Sequence, residues 1–249
     1  MTRIATIKDI PTSSWERLAH KRIFFAHQSV GFDIVAGIED LLKENSLPLL
    51  KITETNILSD SVEPVFAHCR LGKNGDPEFK CVDFARFLEE GGGNRADMAF
   101  LKFCYVDVTT RTDVNRLFTQ YKEMMSSLRE KYPRMIFIHF SVPVTATPND
   151  FKGRIKRFFG LSSGEQRDNI KRNQFNEKLR KEYRTEKTLF DLAELQSTFP
   201  DGSKAFFKNG NKMYPCLVPD YTNDGGHLNA KGRKRVAEQL LVFLASHLK

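Results

Sequence analysis

Short apolar runs and amphipathic stretches alternate along most of this chain. The first run, 21–26, reads Lys-Arg-Ile-Phe-Phe-Ala and is rich in residues that favour strands. After a turn at 27–31, apolar side chains recur every three or four residues over 32–42, which indicates a helix with one buried face. The pattern therefore predicts a strand, a tight turn and a helix.

The same alternation continues to the C-terminus. Further strands are predicted at 96–105, 135–144 and 188–192. Further helices are predicted at 113–128, 166–183 and 230–248, the first of them capped by Thr112 or Asp113. Apolar strands that alternate with amphipathic helices are typical of a parallel sheet covered on both faces. We therefore expect an α/β fold of three layers, α/β/α, with 1–249 forming a single domain.

The composition is that of a protein with a sizeable core. Hydrophobic residues make up 40% of the 249 positions, 21 of them Phe, and no apolar stretch approaches the ~18 residues of a transmembrane segment. The net charge is +8, but most basic residues alternate with acidic ones, and no nucleic-acid-binding module is present, so no nucleic acid partner is expected. The basic and aromatic segment 151–160 is the exception; we interpret 151–168 as a possible flap, or else as a plain loop.

The four cysteines, Cys69, Cys81, Cys104 and Cys216, form no C-x-x-C pair. This spacing suggests no structural zinc site, and we expect neither a metal nor a cofactor. Cys104 is predicted to be a free core thiol, whereas Cys69 and Cys81 are either free or bridged. The N-terminus has no apolar signal core, so the protein is either cytoplasmic or, if a leader has been removed, secreted or periplasmic.

Candidate chemistry is sought where strands end, because reactive groups in parallel sheets collect beyond the carboxyl ends of the strands. Ser29 lies in the turn between the first strand and the first helix. Its hydroxyl either acts as a nucleophile, with backbone N–H groups and a helix N-terminus directed at the reacting carbonyl, or simply caps the helix.

A second candidate is the loop Asp224-Gly225-Gly226-His227, directly before the last helix. A serine nucleophile needs a base, and an imidazole held by a carboxylate keeps the required tautomer. The two glycines permit the tight backbone that turns both side chains the same way. The alternative is a helix-entry loop in which Asn229 is the cap and His227 has no catalytic role.

Ser29 after the first strand, together with Asp224-x-x-His227 before a C-terminal helix, resembles the SGNH (GDSL-like) hydrolase superfamily. The resemblance spans nearly the whole chain. It implies a flavodoxin-like parallel sheet of about five strands and hydrolysis of esters through an acyl-serine intermediate. By this resemblance Ser29 is the nucleophile, His227 the general base and Asp224 its orienting carboxylate. The substrate is expected to carry an acetyl or other short acyl group on a carbohydrate or a small molecule.

Two blocks depart from the pattern of that superfamily. The first block reads His27-Gln28-Ser29 in place of Gly-Asp-Ser, so His27 is either a polar group of the substrate pocket or a core histidine. The block expected to supply an oxyanion-hole asparagine contains none over 102–107. Candidate donors are then Tyr105 or Lys102 from that block, or Gly75 and the Asn74 amide from a loop that reads first of all as a turn.

Specificity is expected to reside in loops and polar helix positions. Candidate substrate-binding residues are His27, Lys102 and Asn173; Asn173 and two neighbouring asparagines either line a sugar-binding cleft or are exposed. The segment 201–216 is a candidate lid loop. The competing hypothesis is a catalytically degenerate protein on the same fold that binds a carbohydrate or acyl ligand without turnover, because fold alone does not distinguish the two.

Overall fold

Eight strands are present in the computed structural model, which describes residues 5–45, 50–58, 63–147 and 164–247. They are β1 (Arg22–His27), β2 (Ile52–Glu54), β3 (Val65–Arg70), β4 (Met98–Leu101), β5 (Ile136–Phe140), β6 (Leu189–Phe190), β7 (Phe206–Asn209) and β8 (Lys212–Pro215). The first six form one parallel sheet in the order β2-β3-β1-β4-β5-β6, and β7 and β8 form an antiparallel hairpin. The strands β2 and β3 lie on one side of β1, and β4, β5 and β6 lie on the other. The crevice expected at such a switch point lies beyond the carboxyl ends of β1 and β4.

Helices cover both faces of this sheet. They are α1 (Thr12–Ala19), α2 (Val30–Asn45), α3 (Pro77–Phe87), α4 (Val114–Lys131), α5 (Gly164–Tyr183), α6 (Leu192–Gln196) and α7 (Ala230–Ser246). Alternate residues of β1 enter separate cores: Phe25 packs with α1, α2 and α7, whereas Phe24 packs with α3, α4 and α5. The predicted three-layer α/β/α architecture is confirmed, with six strands where about five were expected.

Two strands of the sheet were not predicted. In β3, the apolar run Val-Phe-Ala is followed by His68, Cys69 and Arg70, which removes the signal of a continuous apolar strand. His68 is nevertheless buried, because its ring stacks on His27 of the neighbouring strand. The strand β2 spans only three residues at the sheet edge, too few for periodicity to be read.

The strands β4 and β5 end earlier than their apolar patterns predict, at Leu101 and Phe140. After β5, two buried asparagines of α5 make the backbone hydrogen bonds that a neighbouring strand would otherwise make. Asn176 accepts from Val142 N–H and donates to Val142 O, and Asn169 forms the same pair of bonds with Thr145. The extended segment 141–147 is therefore held by side-chain amides, and these asparagines are not exposed.

Most of the candidate lid loop 201–216 forms the β7–β8 hairpin, and its role as a lid stays a prediction. Of the expected flap, 151–163 lies outside the described residues and 164–168 begins α5. All four cysteines are buried free thiols. No helix in the described ranges is both long and apolar enough to span a bilayer.

Candidate active site

Ser29 stands in a backbone conformation that few non-glycine residues adopt. The residue lies between the end of β1 and the start of α2, and its φ of 54° is in the left-handed region. The turn is tight: a Cβ at Gly31 would lie 2.3 Å from Nδ1 of His27, so only glycine fits there. Strain of this kind persists where the surrounding structure fixes it, and it is concentrated at functional sites.

The hydroxyl of Ser29 is bonded to the loop at the other end of the chain. Ser29 Oγ lies 2.8 Å from Nε2 of His227, and Nδ1 of His227 lies 2.6 Å from Oδ2 of Asp224. The structure thus brings three of the sequence-predicted site residues together in one hydrogen-bonded series. Because Ser29 Oγ is directed at His227, it is aligned for proton transfer to the imidazole.

The loop that carries His227 is fixed from both sides. Asp224 Oδ1 accepts the backbone N–H groups of Gly226 and His227, each at 2.8 Å. Downstream, Leu228 N–H donates to Oδ2 of Asp33 on α2, and Asn229 caps α7 through Gly232 N–H. The loop that carries His227 is therefore tied to α2, the helix that begins directly after Ser29.

Electrostatics favour the ionised form of the Asp224 carboxylate. Burial acts to raise the pKa of Asp224, but hydrogen bonds from the Gly226 and His227 backbone and from the His227 ring outweigh it. The pKa of Asp224 is therefore well below its usual range. An ionised Asp224 accepts the Nδ1–H of His227 and leaves Nε2 free to accept the serine proton.

The candidate oxyanion donors lie in different surroundings. The Gly75 N–H already donates to Oδ1 of Asp107 at 2.7 Å. Asn74 is exposed, and its Oδ1 accepts from Nζ of Lys80 at 2.8 Å, which directs the amide NH₂ away from Lys80. Tyr105 lies against His227 instead, with the two rings edge to face and their centroids 5.8 Å apart. Among the described residues, the Ser29 N–H has no acceptor.

A buried ionic network beneath the serine turn was missed by sequence reasoning. Lys80 and Asp107, both fully buried, are joined at 2.6 Å, and Asp107 also accepts Cys104 N–H at 2.6 Å. Cys104 Sγ in turn donates to Gln28 O at 3.4 Å. Cys104, which follows β4, thus holds the backbone of Gln28, the residue before Ser29. The apolar pattern predicts no helix over 77–87, so no advance signal indicated that Lys80 is buried on α3.

The three candidate substrate-binding residues are all buried. His27 pairs with His68 at 3.1 Å, and burial followed by the charge of Lys102 lowers the pKa of His27 to about 2. Lys102 donates to Phe103 O, and burial lowers its pKa. Asn173 donates to Asn169 O and Pro215 O. All three side chains therefore bond to the protein interior.

An open cavity lies beside the His227 loop. Its volume is about 390 Å³, and its walls are Tyr105, Thr145, Ala146, Thr147, Glu165, Asp224, Gly225 and Gly226. The size falls in the usual range of small-molecule sites, ~300–1,000 Å³. Across the described ranges, no group of three His, Cys, Asp or Glu side chains is arranged to hold a metal ion.

Solved structures share this architecture. A carbohydrate esterase of family 3 from Talaromyces cellulolyticus aligns over 92% of this chain and 98% of its own, with a TM-score of 0.52 and 12% identity. A protein assigned to the G-D-S-L family, from Desulfitobacterium hafniense DCB-2, aligns over 90% and 99% of the two chains, with a TM-score of 0.50 and 8% identity. This protein has an SGNH-hydrolase-like fold.

A third structure with this architecture is an acetyl esterase, solved as a serine-to-alanine variant with an acetate ion. It aligns over 92% of this chain and 98% of its own, with a TM-score of 0.50 and 12% identity. No family model and no curated protein matches the sequence. The architecture shared with the solved structures confirms the predicted resemblance to SGNH hydrolases for the fold.

Proposed function

We propose that this protein is a serine esterase that hydrolyses a carboxylic ester through an acyl-serine intermediate. Ser29 is the nucleophile, His227 the general base and Asp224 its orienting carboxylate. The observation that carries the proposal is the hydrogen-bonded series from Asp224 Oδ2 through His227 to Ser29 Oγ, with spacings of 2.6 and 2.8 Å. A strained serine turn at the head of a helix gives further support.

In the proposed reaction, His227 Nε2 takes the Oγ proton as Ser29 attacks the ester carbonyl. The tetrahedral intermediate then collapses, the bond to the alcohol breaks, and the imidazolium returns its proton to the alcohol oxygen. Water, deprotonated by the same imidazole, attacks the acyl-serine. The bond between the acyl carbon and Ser29 Oγ then breaks, the imidazolium returns the proton to Oγ, and the acid is released. Asp224 stabilises the imidazolium that forms in each half of the reaction.

For the oxyanion we propose the Ser29 N–H and the Asn74 amide. Gln28 donates to the carbonyls of Leu71 and Gly72, so the loop that carries Asn74 is tied to the residue before Ser29. Lys80 fixes the amide oxygen and leaves Nδ2 available as a donor. Gly75 is not assigned this role, because its N–H is committed to Asp107.

The proposed substrate carries an acetyl or other short acyl group on a carbohydrate or small molecule. The support is analogy: two structures that share the fold are a carbohydrate esterase and an acetyl esterase.

The test is hydrolysis of p-nitrophenyl acetate by the wild type and by Ser29→Ala, His227→Ala and Asn74→Ala. We expect Ser29→Ala and His227→Ala each to lower kcat by at least about 10³-fold, and Asn74→Ala by about 10²-fold. A fluorophosphonate should label the wild type at Ser29 and leave Ser29→Ala unlabelled. Circular dichroism checks that each variant is folded.

Matched controls are Ser246→Ala and His20→Ala, because both residues are exposed and lie outside the site. Equal activity in all variants would rule out the assignment of Ser29 and His227. Absence of both turnover and labelling in folded wild type would instead favour a binding protein on this fold.

A further inference from the structure

The cavity beside His227 contains polar groups that bond to no other described residue. Tyr105 and Glu165 both line its wall, and neither the Tyr105 hydroxyl nor Oε1 of Glu165 has a hydrogen-bond partner within the described ranges. The Glu165 side chain is 51% exposed, so its free oxygen is accessible to a ligand. The cavity thus offers one phenol and one carboxylate oxygen for hydrogen bonds.

These groups are held in place by a buried arginine. Arg172, only 2% exposed, donates to Tyr105 O and Thr145 Oγ1, each at 2.8 Å. Thr145 Oγ1 in turn donates to Oε2 of Glu165 at 2.9 Å, and Arg172 Nη1 lies 3.6 Å from the same oxygen. One carboxylate oxygen of Glu165 is therefore anchored while the other is free.

The position of the cavity relates it to one side of the reacting ester. Its wall includes Asp224 and Gly226 of the loop that carries His227. Tyr105 lies edge to face with the His227 ring and so near Gly226 that a Cβ there would be 2.8 Å from the phenol ring. In the proposed reaction the imidazolium hands its proton to the departing alcohol, so the alcohol must leave beside His227. Neither Ser29 nor Asn74, which supply the proposed oxyanion donors, lines this wall, and Asn74 belongs to the loop before α3.

We infer that this cavity is the alcohol subsite of the esterase and takes a leaving group with vicinal hydroxyls, such as a sugar or other polyol, which hydrogen-bonds to Glu165 and Tyr105. The inference rests on the proposed function. A carboxylate oxygen accepts hydroxyl protons strongly, and a tyrosine supplies both a hydroxyl and an apolar face. Arg172 offsets the charge of Glu165, which favours neutral hydroxyls over a cationic leaving group.

Two acetates with the same three-carbon alcohol skeleton test the inference. Glycerol 1-acetate has vicinal hydroxyls on its leaving group, and propyl acetate has none. We expect the wild type to prefer glycerol 1-acetate in kcat/KM by about 10- to 100-fold, because the hydroxyls bond to a charged acceptor. Glu165→Leu should abolish most of this preference through KM, and Tyr105→Phe should reduce it.

The quantity compared is the ratio of kcat/KM for the two acetates within each variant, so a general change in activity cancels and only recognition of the leaving-group hydroxyls is measured. Glu130→Leu is the matched control, since Glu130 is exposed on α4. An unchanged preference in both Glu165→Leu and Tyr105→Phe, with hydrolysis still dependent on Ser29, would overturn the subsite and leave the esterase intact.

A binding measurement separates failure of the subsite from failure of the esterase. Saturation-transfer NMR with methyl glucoside is run on Ser29→Ala and on Ser29→Ala/Glu165→Leu. Binding that is lost with Glu165→Leu supports the subsite even if no ester is turned over. Equal signals, or none, from the two proteins would contradict it.

Discussion

Lys80 donates to Asp107 at 2.6 Å where both side chains are fully buried, and the same Nζ fixes the amide of Asn74. A buried pair of this kind is costly to break, because removal of one partner leaves an uncompensated charge. The pair also links the stability of the fold to the geometry of the proposed oxyanion donor.

We therefore expect Asp107→Asn to lower the free energy of unfolding by about 3–5 kcal/mol, since Lys80 loses its counter-charge. The measurement is urea unfolding followed by circular dichroism. Lys131→Met is the matched control, because Lys131 and its partner Glu89 are about half exposed and such pairs contribute ~0–1 kcal/mol. A loss in Asp107→Asn no larger than in the control would refute this account of the pair.

The strained turn predicts that Ser29→Gly is more stable than Ser29→Ala. Both variants lack the hydroxyl and should be inactive, but only glycine adopts the φ of 54° without steric cost. We expect a difference of about 0.5–1 kcal/mol in the free energy of unfolding, the relief of strain being partly offset by the greater chain entropy of glycine. Equal stability of the two variants would show that the turn stores no strain.

Two buried histidines predict loss of stability in mild acid. Burial, followed by Lys102, lowers the pKa of His27 to about 2, and burial, followed by Arg129, lowers that of His139 to about 3. Both values lie below the 6.5 of an unfolded histidine, so below about pH 6.5 the unfolded chain binds protons that the folded chain does not. Each histidine should cost about 1.4 kcal/mol of stability per pH unit within that window.

Urea unfolding at pH 7, 6 and 5 measures this slope. His139→Gln should make the slope shallower, whereas exposed His20→Gln should leave it unchanged. If His139→Gln and the wild type gave the same slope, protonation of this histidine would not be linked to unfolding.

The thiols are predicted to be unreactive in the folded protein. All four are buried, and burial raises the pKa of Cys69 and of Cys81 to about 12. Because the thiolate is the reactive form, iodoacetamide at pH 8 should modify neither residue until urea is added, after which four equivalents should react. A mass 2 Da lower, as a Cys69–Cys81 bridge would give, would contradict the free-thiol arrangement.

The sequence by itself determined the layered α/β architecture and the three residues of the proposed hydrogen-bonded series. Apolar strands and amphipathic helices have distinct periods, and Ser29 and the Asp224 to His227 loop each adjoin such an element. Parallel strands place their carboxyl ends at one edge, where Ser29 lies, and a loop directly before a terminal helix that packs against the sheet can reach the same edge.

Only the tertiary structure decided which other polar residues face the site. Asn173, His27 and Lys102 carry side chains suited to binding a ligand, yet all three are buried and bonded within the protein. Glu165, by contrast, occupies an ordinary charged helix position in the sequence and lines the cavity beside His227. The burial of the first three residues and the position of Glu165 both depend on segments that are far apart in the chain. The periodicity of a sequence reports only on residues that are near one another, so it predicts neither.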